Sequence, residues 1–159
     1  MTPQNPGMLN QRALPSRSRL DDEVTWWLMA FGIVAGLDAA AFLGLPTFIE
    51  TNAYHGARLI APQWFWGALA LLASTGCSTG WVADRLVPLT PDHHLATCYW
   101  IRQTATRVGL AAYGALCAVF GTSILTLTLQ GFASAITGTT KWWLPLIVAT
   151  RLLRRQVLS

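Results

Sequence analysis

Charge is what this sequence has least of. Seven acidic and eleven basic residues make up only 11% of the 159, while apolar types reach 53%. Soluble domains carry about a quarter of their residues as charges. So sparse a supply cannot cover a water-facing surface. The basic residues are also spread out rather than massed, which excludes a nucleic-acid-binding stripe. Cysteine is scarce too. Of the three, Cys77 and Cys117 fall inside apolar runs, which excludes an extracytoplasmic disulfide framework. The three histidines, His55, His93 and His94, all lie outside those runs, so no haem or pigment can be ligated by histidine within a bilayer. His94 and Cys98 stand four apart, a spacing that can hold a metal, but a solvated helix start explains them more simply. The chain has no phosphate-cradling glycine loop, zinc-protease motif or nucleophile elbow. No catalytic residues, cofactor or metal are expected, and the chain does not read as an enzyme.

What it has in quantity is long uncharged sequence. A helix rising about 1.5 Å per residue needs about 20 apolar residues to cross a hydrocarbon core about 30 Å thick. Three runs meet that length: Val24 to Leu45, broken only by Asp38; Trp64 to Ala83; and Val108 to Leu129. A fourth, centred on Trp142 to Thr150, has only nine uncharged residues between Lys141 and Arg151. It spans only if those two side chains snorkel outward. The expectation is an all-α membrane bundle with four transmembrane helices at about 24–45, 64–83, 108–129 and 140–155. Three spans with an interfacial C-terminal helix is the alternative. Residues 1–20, rich in Pro, Asn, Gln and Arg, read as a disordered basic tail, and 21–159 as the transmembrane domain. Ala39 and Ala41 resemble a signal-peptide cleavage site, but the run continues past them to Leu45, as a span does.

The basic residues supply the topology. Arg12, Arg17 and Arg19 precede the first run, Arg58 follows it, and Arg85, Arg102 and Arg107 separate the second from the third. Lys141 precedes the fourth, and Arg151, Arg154 and Arg155 follow it: three, one, three, one, three. Basic residues favour the cytoplasmic side of a membrane, and acidic ones such as Asp21, Asp22 and Glu23 count for little in that rule. Both termini are therefore expected in the cytoplasm. Tryptophan marks the same boundaries, since an indole suits the headgroup layer. Trp26 and Trp27 open the first run, Trp64 and Trp66 open the second, Trp81 closes it, and Trp142 and Trp143 flank the last; Lys141 and Arg151 complete the expected interfacial anchors. Pro62 suits a helix start. Thr90 and Pro91 suit the cap and first position of a third helix that begins well before the bilayer.

Small residues carry helix association in lipid, because burying apolar surface there brings little gain over lipid itself. The first run has Gly32, Gly36, Ala40 and Gly44 at four-residue spacing. The second has Ser74, Gly76, Ser78 and Gly80, and the third has Gly114 and Ala118. Ser74 and Ser78 are read first as tight packing contacts and second, with Thr75, as a hydrated lining. Asp38 points nearly opposite the Gly32–Gly36–Ala40 ridge. An ionised acid at mid-bilayer costs about 2.5–3.5 kcal/mol, so both faces of the first helix call for protein or water, and contacts between subunits are expected. Asp38 itself has three readings: a neutral acid hydrogen-bonded to a neighbouring Ser or Thr, a hydrated acid near the outer interface, or a proton- or ion-handling group.

Two segments, APQWFWGALALL at 61–72 and KWWLPLIVATRLLRR at 141–155, resemble the small multi-pass membrane proteins of tailed-phage genomes, some of them holin-like. That resemblance implies a bacterial inner-membrane protein that oligomerises, either opening a lesion or assisting another process in the membrane. The N-terminal tail and a first span with a central Asp fall outside the pattern. Four short helices with one membrane acid also resemble the small multidrug-resistance exporters, although those use Glu, are shorter and pair in dual topology. A structural accessory subunit of a larger membrane complex is the remaining class. Partners common to these readings are the lipid bilayer and other membrane helices, either copies of this chain or other subunits, with no nucleic acid.

Overall fold

The computed structural model describes residues 22–44, 55–129 and 136–158. The tail before Asp22, with its arginines, lies outside the described residues, as do Leu45 and Pro46. The described residues are all-helical, without strands. Helix α1 covers Asp22–Gly44, α2 His55–Ile60, α3 Gln63–Leu86, α4 Asp92–Leu129 and α5 Ile136–Leu158, with a single 3-10 turn at Val87–Leu89. At 23, 24, 38 and 23 residues, the four long helices run for about 35, 36, 57 and 35 Å. Two of them, Asp22–Gly44 and the Asp92–Thr126 part of α4, are long and apolar enough to cross a membrane. Helix α3 has the length, but Trp, Gly, Ser and Thr dilute its apolar content.

Local chemistry sets the ends. Asp22 and Glu23 occupy the first turn of α1, Asp92 that of α4, and Arg85 the last turn of α3, each complementing the helix dipole. Pro62 precedes α3 in extended conformation. Thr90 differs from expectation. Its hydroxyl donates back to the Leu86 carbonyl at 2.8 Å and its N–H to Val87 at 3.3 Å, so it closes the end of α3. Pro91 lies just outside α4 and accepts the His94 N–H at 3.0 Å. The fourth apolar run grows in both directions, into a 23-residue helix with Pro145 inside it. Its Lys141 and Arg151 side chains are exposed, and Lys141 lies over the Trp142 ring at 5.1 Å.

The long helices pack antiparallel in chain order, α1 on α3, α3 on α4 and α4 on α5. Two sets of contacts fix the direction. At one end, Arg155 near the end of α5 donates to Glu23 at the start of α1 at 3.4 Å, and Arg102 of α4 reaches Asp84 at the end of α3. At the other end, Gln63 at the start of α3 donates to the Phe42 carbonyl at 2.6 Å. There too the Phe42, Phe120 and Trp142 rings stack with centroids 5.2 and 5.1 Å apart. Arg85, Arg102, Arg107, Arg151, Arg154 and Arg155 consequently share the half of the bundle that holds the start of α1. Arg58 and Lys141 belong to the other half.

The core holds aromatic and small residues from all four long helices, including Leu28, Phe31, Phe42, Ala73, Cys77, Leu110, Tyr113, Phe120 and Leu152. Where helices meet closely, glycine makes room. A Cβ on Gly76 would sit 2.7 Å from the Gly109 Cα and 3.0 Å from the Ala105 carbonyl oxygen, and one on Gly80 would strike Thr106. Many large apolar side chains face outward. Trp26, Ile33, Leu37 and Leu43 on α1, Trp64, Leu71, Leu72 and Val82 on α3, and Leu144 and Ile147 on α5 are all exposed.

Candidate functional site: ionisable groups inside the bundle

Two carboxylates among the described residues are buried in the bundle, Asp84 and Asp38, and Asp84 is held in a direct ion pair. Asp84 is 1% exposed. It accepts a hydrogen bond from Thr25 Oγ1 of α1 at 3.3 Å and pairs with Arg102 Nη1 of α4 at 3.1 Å. The Arg102 guanidinium also lies 4.7 Å above the Tyr99 ring. One carboxylate at the end of α3 thus joins three helices. Nearby, Cys98 Sγ donates to the Ala83 carbonyl at 3.6 Å. A buried ion pair is costly to break from one side, because the remaining charge is left without compensation. Asp84 is hard to single out by sequence because it directly follows the uncharged run that ends at Ala83. Its spacing held the signal: Ala73, Cys77, Gly80 and Asp84 recur at helical intervals, and all four are buried.

Asp38 is 8% exposed. It shares a buried face of α1 with Phe31, Ala35 and Phe42. The aromatic contacts Phe31–Tyr113, at 4.8 Å, and Phe42–Phe120, at 5.2 Å, flank it along the α1–α4 interface. Tyr113, Cys117 and Lys141 are within its electrostatic reach, and the Tyr113 hydroxyl hydrogen-bonds the Cys117 side chain. Its Oδ2 has no hydrogen-bond partner among the described residues. The expected Ser or Thr partner is therefore absent there. Cys77 and Tyr113 are electrostatic neighbours as well, so a small island of ionisable side chains sits within the apolar core.

The expected packing ridge on α1 is only half used. Gly32 is buried against Ser78 and Ser74, and Ser74 donates to the Gly32 carbonyl at 2.8 Å. A Cβ on Gly36 would sit 3.1 Å from Ser74 Oγ. Ala40 is exposed, and Gly44 has open space around it, so neither packs within the chain. Within the chain, α3 lies on the Gly32–Gly36 part of α1 and α4 on the Asp38 side, while Ala40 and Gly44 stay uncovered. Ser74 is a packing residue, and Ser78, although touching Gly32, is otherwise exposed. Thr75 faces outward and donates to its own helix, to Leu71 at 2.9 Å. These placements do not form a hydrated lining inside the bundle.

On α4, a Cβ on Gly114 would make ordinary contact with Leu146 at 3.8 Å, while Ala118 lines a shallow groove with Gly56 and Ser123. Trp26 and Trp64 are exposed, and Trp27, Trp81 and Trp143 are half-buried. Trp66 and Trp142, expected at the interface, are core residues. The Trp66 indole donates to the Ala57 and Ala61 carbonyls at 3.2 and 3.1 Å, which ties down α2, a helix the sequence reading did not foresee. Among the described residues no three His, Cys, Asp or Glu side chains are placed to hold a metal. No family model, curated protein or solved structure matches the chain.

Proposed function

We propose that this chain is a non-enzymatic, four-span protein of a bacterial inner membrane that works by packing laterally with other membrane helices, its own copies included. In this reading the start of α1 and the end of α5 face the cytoplasm. The observation that carries it is the inversion of polarity. Large apolar side chains cover the outside of the bundle while Asp38 and Asp84 are buried. Large apolar side chains exposed on several helices are a liability in water and are at home in lipid.

The outward threonines support the same reading. Thr75, Thr122, Thr126 and Thr150 are exposed, and each donates to a carbonyl of its own helix, at 2.9, 2.6, 2.7 and 2.8 Å. Lipid supplies no partner, so a hydroxyl that faces it must be satisfied internally. The gathering of six arginines in one half of the bundle supports the orientation.

Lateral packing is tested by placing single cysteines at Leu37 and Leu72 and crosslinking in native membranes. Products between chains are expected, and monomer alone from both positions overturns the proposal. Growth arrest with collapse of membrane potential on expression selects the holin-like, lesion-forming version. A retained potential, with a defined membrane protein co-purifying, selects the accessory subunit. One observation favours a second reading, proton-coupled transport: the unpartnered, buried Oδ2 of Asp38. Loss of substrate efflux in Asp38→Asn with retention in Asp38→Glu would establish it.

A further inference from the structure

One face of α5 changes character along its length. Trp143, Leu146, Ile147 and Thr150 give way at helical spacing to Arg151, Arg154 and Arg155, and together they line an open groove of about 540 Å³. Residues 143 and 151 are eight apart, about 12 Å along the helix, and 143 and 155 about 18 Å. One leaflet of a bilayer has a hydrocarbon depth of about 15 Å, half the core thickness. The apolar stretch thus matches one leaflet, and the arginines fall where its headgroups lie.

The charge at that end is unbalanced. Glu23 pairs with Arg155 at 3.4 Å, with both side chains largely solvent-facing. No acidic side chain among the described residues pairs with Arg151 or Arg154. Both are exposed, and guanidinium groups are suited to phosphate, which they can grip through paired N–H donors. A zwitterionic lipid would fill the apolar groove equally well but leave the excess positive charge unmatched. The groove between α3 and α4 makes the contrast. It is lined by Thr79, Val82, Ala83, Leu86, Cys98 and Ile101 among others, and no arginine or lysine lines it.

We infer that the Trp143–Arg155 face of α5 is a binding site for an anionic phospholipid, with an acyl chain along Ile147 and Thr150 and its phosphate on Arg151 and Arg154. This rests on the reading of the chain as a membrane protein. Occupancy by such a lipid would hold the last turns of α5 at the headgroup layer, where the Arg155–Glu23 pair links them to α1.

The test uses the full chain reconstituted in vesicles of equal phosphatidylglycerol and phosphatidylcholine, extracted into mild detergent and weighed by native mass spectrometry. Wild type is expected to retain phosphatidylglycerol preferentially. A basic residue near an anionic surface is worth about fivefold in binding, so Arg151→Gln with Arg154→Gln should weaken that retention about twenty-five-fold. Arg85→Gln, which removes a charge from the same half but a different face, should leave it nearly unchanged. Thr150→Trp keeps both guanidinium groups while filling the groove, and is expected to reduce retention without changing net charge. Equal retention of the two lipids by wild type, or a loss in Arg85→Gln equal to that in the double variant, overturns the site. A chain that enters the vesicles and survives an alkaline wash without lipid preference removes only this inference. A chain that never enters them removes the membrane reading, and the site with it.

Discussion

Asp84 is the residue with the most to lose. Its carboxylate is desolvated and held by one hydroxyl and one guanidinium from two other helices. Asp84→Ala should lower stability in detergent by about 3–5 kcal/mol, since it removes the buried carboxylate paired with the Arg102 guanidinium. Arg102→Gln should be severe for the reciprocal reason. Combined, the two should cost less than their sum by about 0.5–3 kcal/mol, as expected of neighbours in one network. Thermal unfolding of the four-member mutant cycle checks this; strict additivity would mean that the pair is not coupled. Asp38 should behave differently. With Oδ2 unpartnered, Asp38→Asn has no hydrogen bond at that oxygen to lose, and unfolding is expected to change by less than about 1 kcal/mol. A loss of 2 kcal/mol or more in the same assay would reveal a partner. Sequence alone showed that Asp38 was an anomaly but could not say what faced it. Periodicity reports which side of a helix a residue is on, while its neighbour depends on how helices far apart in the chain come together. Asp84 was hidden for another reason, because a charge at the edge of an apolar run looks like the start of a loop.

Helices were the most legible level, because long uncharged runs are displayed openly in the sequence. The runs at 24–45, 64–83 and 108–129 lie within α1, within α3, and in the last part of α4, apart from Leu45, which lies outside the described residues. The fourth run looked short because Lys141 and Arg151 bracket it, yet both side chains are exposed and the helix continues past each. Tryptophan was less informative. Its apolar body suits a core as well as an interface, so Trp66 and Trp142 could not be told apart from Trp26 and Trp64 by type. Glycine spacing gave candidates without saying which were used. Gly76 is used: Gly76→Ala would push a methyl group into the Gly109 backbone and should destabilise the α3–α4 contact by about 1–3 kcal/mol. Gly44→Ala, facing open space, should leave stability within about 0.5 kcal/mol, apart from a small gain in helix propensity. Denaturant unfolding of the two variants in the same micelle compares them directly. Equal effects would mean that α3 and α4 do not meet at Gly76.

At the scale of the whole molecule, the proposed function has one premise, that hydrocarbon surrounds the bundle. It explains why leucine, isoleucine and tryptophan lie outside, why exposed threonines bond inward to their own helices, and why arginines gather in one half. It also predicts topology. A reporter placed after Arg155 should lie on the cytoplasmic side, and one inserted beside Arg58 on the opposite side; finding both on one face would break the four-span arrangement. The premise itself is tested most directly by washing membranes from expressing cells with alkaline carbonate and then extracting without and with detergent. The chain should stay in the pellet through the wash and enter solution only with detergent. Recovery of a monodisperse protein from the detergent-free supernatant would contradict the account.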